Sequence, residues 1–198
     1  MLKMEVAELK RPIQTLPESG FCGDATLIVE DPSNIFLALF DGAGHGYSAH
    51  KAADIAMQLI NEDVDQELCS LLLSLHQGLK GTSGGVAGLC RIVKKTGQLT
   101  CTGIGDISIR LFKPESTRIV TRGGVLGDEI VQPKLYQMQL KRGDVLMLYS
   151  DGIHDNFKID DFPDFFALSA YEIARITIDY HSKILDDASV IVLKVNND

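Results

Sequence analysis

A run of six apolar residues, 35–40, stops at Asp41, and glycines then alternate at 42, 44 and 46 before Ala49, Ala52, Ala53, Ile55, Ala56 and Leu59 recur at helical spacing. An apolar run of that length fits a strand buried on both faces. The unit it predicts is a strand, an acidic turn and an amphipathic helix, with a carboxylate at the lip of a sheet. Asp41 in such a place needs a hydrogen-bond partner or a cation, and the glycines let the backbone turn tightly and pass close to a ligand. Taken alone, the stretch fits a plain capping turn equally well, because short glycine motifs recur by chance.

The chain has 198 residues, 45% of them hydrophobic, which is enough for one sizeable core and predicts a single domain over 1–198. With 27 acidic and 19 basic residues the net charge is -8. No basic run offsets it, so neither nucleic acid nor an anionic membrane is an expected partner. An acidic protein that handles an anionic substrate needs positive charge from elsewhere, and a divalent cation supplies it. Residues 1–9 interleave Lys3, Glu5 and Glu8 with apolar side chains, unlike a signal-peptide core. No apolar run approaches the roughly 20 residues of a membrane helix, so the expected location is cytoplasmic. Cys22, Cys69, Cys90 and Cys101 form no C-x-x-C pair and are read as reduced thiols.

Residues 4–13 read as an opening strand. Asp24 precedes a β-rich run, and Asp31-Pro32-Ser33-Asn34 turns it into the strand at 35–40. Such a hairpin brings Asp24 and Asp41 side by side, an unfavourable pair of like charges unless a cation lies between them. A helix ending near 61 is followed by a second over 64–79, with His76 structural on or near its apolar face. Strands at 86–93, 99–104 and 107–112 read as an antiparallel meander, with a short strand at 117–120 and another at 135–140. Arg118 and Arg122 are candidates for a substrate rim. The apolar run 145–150 again ends at an acid, Asp151; a helix over 169–183 follows, and Asp186-Asp187 leads into a last strand at 189–195. Roughly ten strands and three helices, the helices in two blocks, argue for an α+β fold in which two packed antiparallel sheets are flanked by helices.

Asp24, Asp41, Asp151 and one of Asp186 or Asp187 thus stand at strand ends beside small residues. An all-oxygen cluster of this kind suits Mg²⁺ or Mn²⁺, whereas softer metals favour His or Cys.

Gly23-Asp24-Ala25, Phe40-Asp41-Gly42, Gly81-Thr82-Ser83-Gly84-Gly85, Gly103-Ile104-Gly105-Asp106, Ser150-Asp151-Gly152-Ile153-His154-Asp155 and Asp186-Asp187-Ala188-Ser189 occur in this order over nearly the whole chain. Together they resemble the metal-dependent serine/threonine protein phosphatases of the PPM, or type-2C, family. The glycine loop through His45 and Gly46, the small size and the lack of a further domain resemble the stress and sporulation branch, and within it the feedback phosphatases of the stressosome.

That resemblance implies an α-β-β-α sandwich with two Mn²⁺ or Mg²⁺ ions at one edge. Asp41 would bridge both ions, the Gly42 carbonyl would bind one, Asp151 and Asp186 would hold the other, and Asp24 would act through water. Asp186 matches the first acid of the family's doublet, although spacing leaves Asp187 a candidate. Asp106 and Asp155 match a third, looser metal position. The implied reaction is direct attack of metal-activated water on a phosphoserine or phosphothreonine of a partner protein, a stressosome or STAS-type component. Two positions depart from the eukaryotic pattern. Ala43 stands where those enzymes carry a histidine, which leaves His45 as a candidate proton donor, and Ser19 stands where they carry a phosphate-binding arginine. The covering insert of larger members is missing between 104 and 140, so an open site suited to a folded phosphoprotein is expected. A catalytically silent phosphoprotein-binding module of the same fold is the competing expectation. A nucleotide hydrolase is disfavoured by the lack of a P-loop.

Overall fold

The computed structural model describes residues 2–13, 20–113, 116–154, 162 and 164–196. Among them ten strands, three α-helices and one short 3-10 turn at Phe165–Ala167 follow one another. One sheet holds β1 (Met4–Arg11), β10 (Ala188–Val195), β9 (Val145–Tyr149), β6 (Ser108–Phe112) and β7 (Thr117–Ile119), in that spatial order. The other holds β2 (Asp24–Glu30), β3 (Asn34–Gly42), β4 (Gly85–Val93), β5 (Gln98–Ile104) and β8 (Tyr136–Gln139). Every ladder within the two sheets is antiparallel.

Three apolar layers hold the sandwich together. Leu37, Leu39 and Ile92 of one sheet meet Ile109, Leu148 and Ile191 of the other in the central layer. Alternate residues of the same strands face outward: Phe36, Ala38 and Phe40 pack under α1 (Gly46–Glu62) and α2 (Leu68–Gly78), and Met147, Val190 and Val192 pack under α3 (Ala170–His181). This two-sided burial is why 35–40 of β3, 145–149 of β9 and 190–193 of β10 read as unbroken apolar runs. Each fully buried leucine or isoleucine contributes on the order of 2 kcal/mol.

The expected fold class is the one observed, with two differences in detail. The second helix starts at Leu68 and not at 64, because Glu67 caps it by accepting from the Ser70 amide at 2.9 Å. Helix α3 carries a full capping box, Ser169 with Glu172. The meander expected through 86–112 breaks at Gly105-Asp106: β5 stays in one sheet while β6 enters the other, so this turn crosses the sandwich. All four cysteines are free, and Cys90 and Cys101 lie buried and opposite each other in the β4–β5 ladder. His76 takes a structural role, its Nδ1 accepting from the Gly127 amide at 3.3 Å. Among the described residues no helix is long and apolar enough to cross a membrane.

Candidate metal centre

Strand register alone carries the acids to one edge. Asp24 opens β2 and pairs directly with Asp41 near the end of β3. In the other sheet Tyr149 pairs with Val190 and with Ser108, so Asp151 just after β9, Asp186 just before β10 and Asp106 just before β6 all fall at the same end. Ser150 ties the two sheets together there: its hydroxyl donates to Asp24 Oδ2 at 2.7 Å and accepts from the Ser189 amide at 3.0 Å. Its own amide donates to the Ser189 carbonyl at 3.1 Å.

Asp41, Asp106, Asp151 and Asp186 line a cleft of about 320 Å³ whose floor is the backbone of the glycine turn, residues 42–44, together with Gly85. Close approach explains two of these glycines. A Cβ on Gly42 would lie 2.5 Å from the Ala49 carbonyl oxygen of α1, and one on Gly85 would run into the Asp41 carbonyl and the Phe40 ring. The Gly42 amide donates to the Gly23 carbonyl at 3.0 Å, which locks the β2 entry to the β3 exit.

The cleft concentrates negative charge. Burial pushes the Asp41 carboxyl up to about 9, reinforced by Asp24, Asp151, Asp186 and Asp106. Burial also raises Asp24 to about 6, against the opposing hydrogen bond from Ser150. Asp186 is raised by burial and then by Asp151, with Lys183 opposing. Among the described residues no lysine or arginine forms an ion pair with any of these five acids. Among the described residues Asp24 Oδ1, which is buried, finds no hydrogen-bond partner.

A cleft of hard oxygens in which the Asp41 and Asp186 carboxyls are raised fits a divalent cation by chemistry. Among the described residues no three ligating side chains close around a single point, so the acids line an open cleft and not a finished cage.

The candidates from sequence separate into groups. Asp41, Gly42, Asp106, Asp151 and Asp186 line the cleft. Asp24 sits behind the wall, only 4% exposed, with one oxygen engaged by Ser150. Asp187, a metal candidate from sequence, is corrected: its two carboxylate oxygens accept from the Ile13 and Gly23 amides, each at 2.7 Å, inside the protein. It fastens the 12–13 and 22–23 segments and does not line the cleft. His45, the candidate proton donor, is exposed at the N-cap of α1, makes no capping hydrogen bond with its side chain and does not line the cleft. Asp155 and Ser19 lie outside the described residues. The structural roles of Ser150 and Ser189 were missed from sequence, although both lie inside acid-bearing motifs. Lys183 was missed as well; its one signal was being three residues ahead of Asp186.

The family model described as stage II sporulation protein E (SpoIIE) matches residues 31–196. The phosphoserine phosphatase RsbX of Bacillus subtilis (strain 168) is 22% identical over 137 residues, 68% of this chain and 69% of that protein. Among solved structures, a chain from work described as the bacterial stressosome, a modular system adapted to control secondary messenger signaling, is 29% identical with a TM-score of 0.87. The match covers 97% of this chain and all of that one, 100%. The crystal structure of RsbX in complex with magnesium superimposes with a TM-score of 0.84 at 20% identity, covering 99% of this chain and 100% of the other, and so shares the fold.

Proposed function

The chain belongs to the stage II sporulation protein E family, within the PPM-type protein serine/threonine phosphatases, and we propose that it uses divalent metal to remove phosphate from phosphoserine or phosphothreonine on a partner protein of bacterial stress signalling. The observation that carries this reading is the convergence of Asp41, Asp106, Asp151 and Asp186 from both sheets on one open cleft, free of ion pairs to lysine or arginine among the described residues.

Asp41, Asp151 and Asp186 would hold two ions, Mg²⁺ or Mn²⁺, with the Gly42 carbonyl as a further oxygen donor and Asp106 available to a third ion. Bound divalent metal supplies Lewis acidity toward phosphate oxygens and lowers the pKa of water toward neutrality. The protein's own contribution is positional. The Asp24–Ser150 hydrogen bond braces the strand ends next to Asp41 and Asp151 from behind. The glycine turn keeps side chains out of the space the phosphoryl group needs. The cleft opens to solvent, so a serine or threonine on the surface of a folded partner can reach it, and the departing alkoxide takes its proton from water there. Magnesium bound to RsbX and the stressosome setting of the 29% identical chain support the metal class and the substrate setting.

The test is phosphate release from phosphorylated STAS-domain proteins with added Mg²⁺ or Mn²⁺. Release abolished by chelation supports the reading. Tight binding of the same phosphoproteins with no turnover under any metal would favour the silent binding module.

A further inference from the structure

Helix α3 gives way after His181 to a turn that leads into Asp186, one wall of the acidic cleft. This short stretch holds large apolar side chains in solvent. Ile184 and Leu185 are each 73% exposed, and Tyr180 in the last turn of α3 is 76% exposed. Apolar residues scattered singly over a surface are ordinary, whereas an adjacent pair with an exposed tyrosine just before it is not. The backbone beneath them is pinned. The Lys183 amide donates to the Gly152 carbonyl at 2.7 Å, the Lys183 carbonyl accepts from Arg11, and the His154 amide donates to the His181 carbonyl at 2.8 Å. Gly152 and His154 follow Asp151 directly, so the turn that displays Ile184 and Leu185 is tied to the segment carrying the facing cleft acid.

We propose that Tyr180, Ile184 and Leu185 form a docking point for a folded phosphoprotein substrate and take up apolar surface beside its phosphorylated serine or threonine. The proposal rests on the reading of the cleft as a phosphatase centre. Leu185 is joined to Asp186, about 3.8 Å away along the chain, whereas a specific protein interface covers roughly 20–30 residues a side. A folded partner whose phosphoryl group enters the cleft therefore has this turn inside its footprint. The net charge of -8 gives a phosphate-bearing partner no long-range attraction, which leaves apolar contact to supply affinity outside the metal site. A turn already fixed before the partner arrives loses little freedom on being covered, so a few anchors on it suffice.

The test compares two substrates with Mg²⁺: a phosphorylated STAS-domain protein, and p-nitrophenyl phosphate, which is too small to span cleft and turn together. Ile184→Ser combined with Leu185→Ser should raise KM for the phosphoprotein about tenfold while its kcat, and turnover of p-nitrophenyl phosphate, stay within twofold. Methionine at both positions should restore the phosphoprotein KM. Leu73→Ser, an exposed apolar position on α2 over the other sheet, should leave both substrates unaffected. Fluorescence anisotropy of the labelled phosphoprotein reads the same tenfold change as Kd. Absent turnover of both substrates would count against the phosphatase reading, and the Kd comparison would still decide the docking. A KM and Kd unmoved by the double serine variant overturn the proposal. Equal losses on both substrates, which mark a disturbed Asp186, also overturn it, as does a wild-type dimer in gel filtration that the double variant dissociates, which would assign the patch to a second copy of the chain.

Discussion

Asp24 and Asp41 face each other directly in the β2–β3 ladder, and their carboxylates have opposite fates. Asp24 is drawn inward, one oxygen taken by the Ser150 hydroxyl and the other buried with no hydrogen-bond partner among the described residues. Asp41 faces the cleft, where burial and four neighbouring acids hold its carboxyl up to about 9. Two carboxyls in such contact cannot both ionise cheaply unless positive charge arrives, so protons and divalent cations compete for the same place.

That competition gives a pH-dependent stability. The folded-state pKa of Asp41 is raised, so its contribution is fully present below the ordinary carboxylate range and is lost as pH rises through about 9; Asp24 behaves likewise through about 6. In EDTA, Tm should fall between pH 5 and pH 9. Saturating Mg²⁺ or Mn²⁺ should raise Tm by about 5 °C or more at pH 8, and by less at pH 5. Scanning fluorimetry over this grid checks both signs; a Tm indifferent to metal at every pH would count against a cation site.

The adjacent acids Asp186 and Asp187 should fail in different ways. Asp187→Ala strands two buried amides, those of Ile13 and Gly23, at a cost of about 2–5 kcal/mol in urea unfolding. Asp186→Asn removes a repelling charge from the cleft, so it should keep or slightly raise stability in EDTA while lowering phosphatase rate by about 100-fold or more. The reverse pattern would mean the two roles are exchanged.

Gly152→Ala tests the joint that carries Asp151. A Cβ there would run into the Asp187 backbone carbonyl, which cannot move without shifting β10. Destabilisation of about 2–3 kcal/mol is expected, with activity lost even under conditions where the variant remains folded. Near-native stability would show that the joint is looser than its packing implies.

His45→Ala should keep its rate within about twofold and its pH profile unchanged, because the exposed imidazole lies outside the cleft walls. Loss of the basic limb of the pH–rate profile would restore His45 as the proton donor.

Much of this architecture was legible in the sequence because burial on both faces writes strands such as 35–40 and 145–149 as unbroken apolar runs, and because each run stops where the sandwich ends. The Asp24–Asp41 pairing followed from a short turn that fixes the hairpin register. What was not legible depends on contacts between distant segments. Nothing local distinguishes Asp186 from Asp187; their roles differ because the Ile13 and Gly23 amides lie on one side only. The Gly105-Asp106 turn reads like a hairpin, and only the pairing of β6 with β9 shows that it crosses between sheets. Lys183 joins Arg118 at one cavity through an arrangement of β7, β9 and the α3 exit that no periodicity encodes.

The most direct test is anomalous diffraction from crystals soaked in Mn²⁺. The account predicts manganese peaks within the cleft bounded by Asp41, Asp151 and Asp186, absent in crystals of Asp41→Asn. A cleft that stays free of manganese at saturating concentration, with its acids instead paired to Lys183 or Arg118, would contradict it.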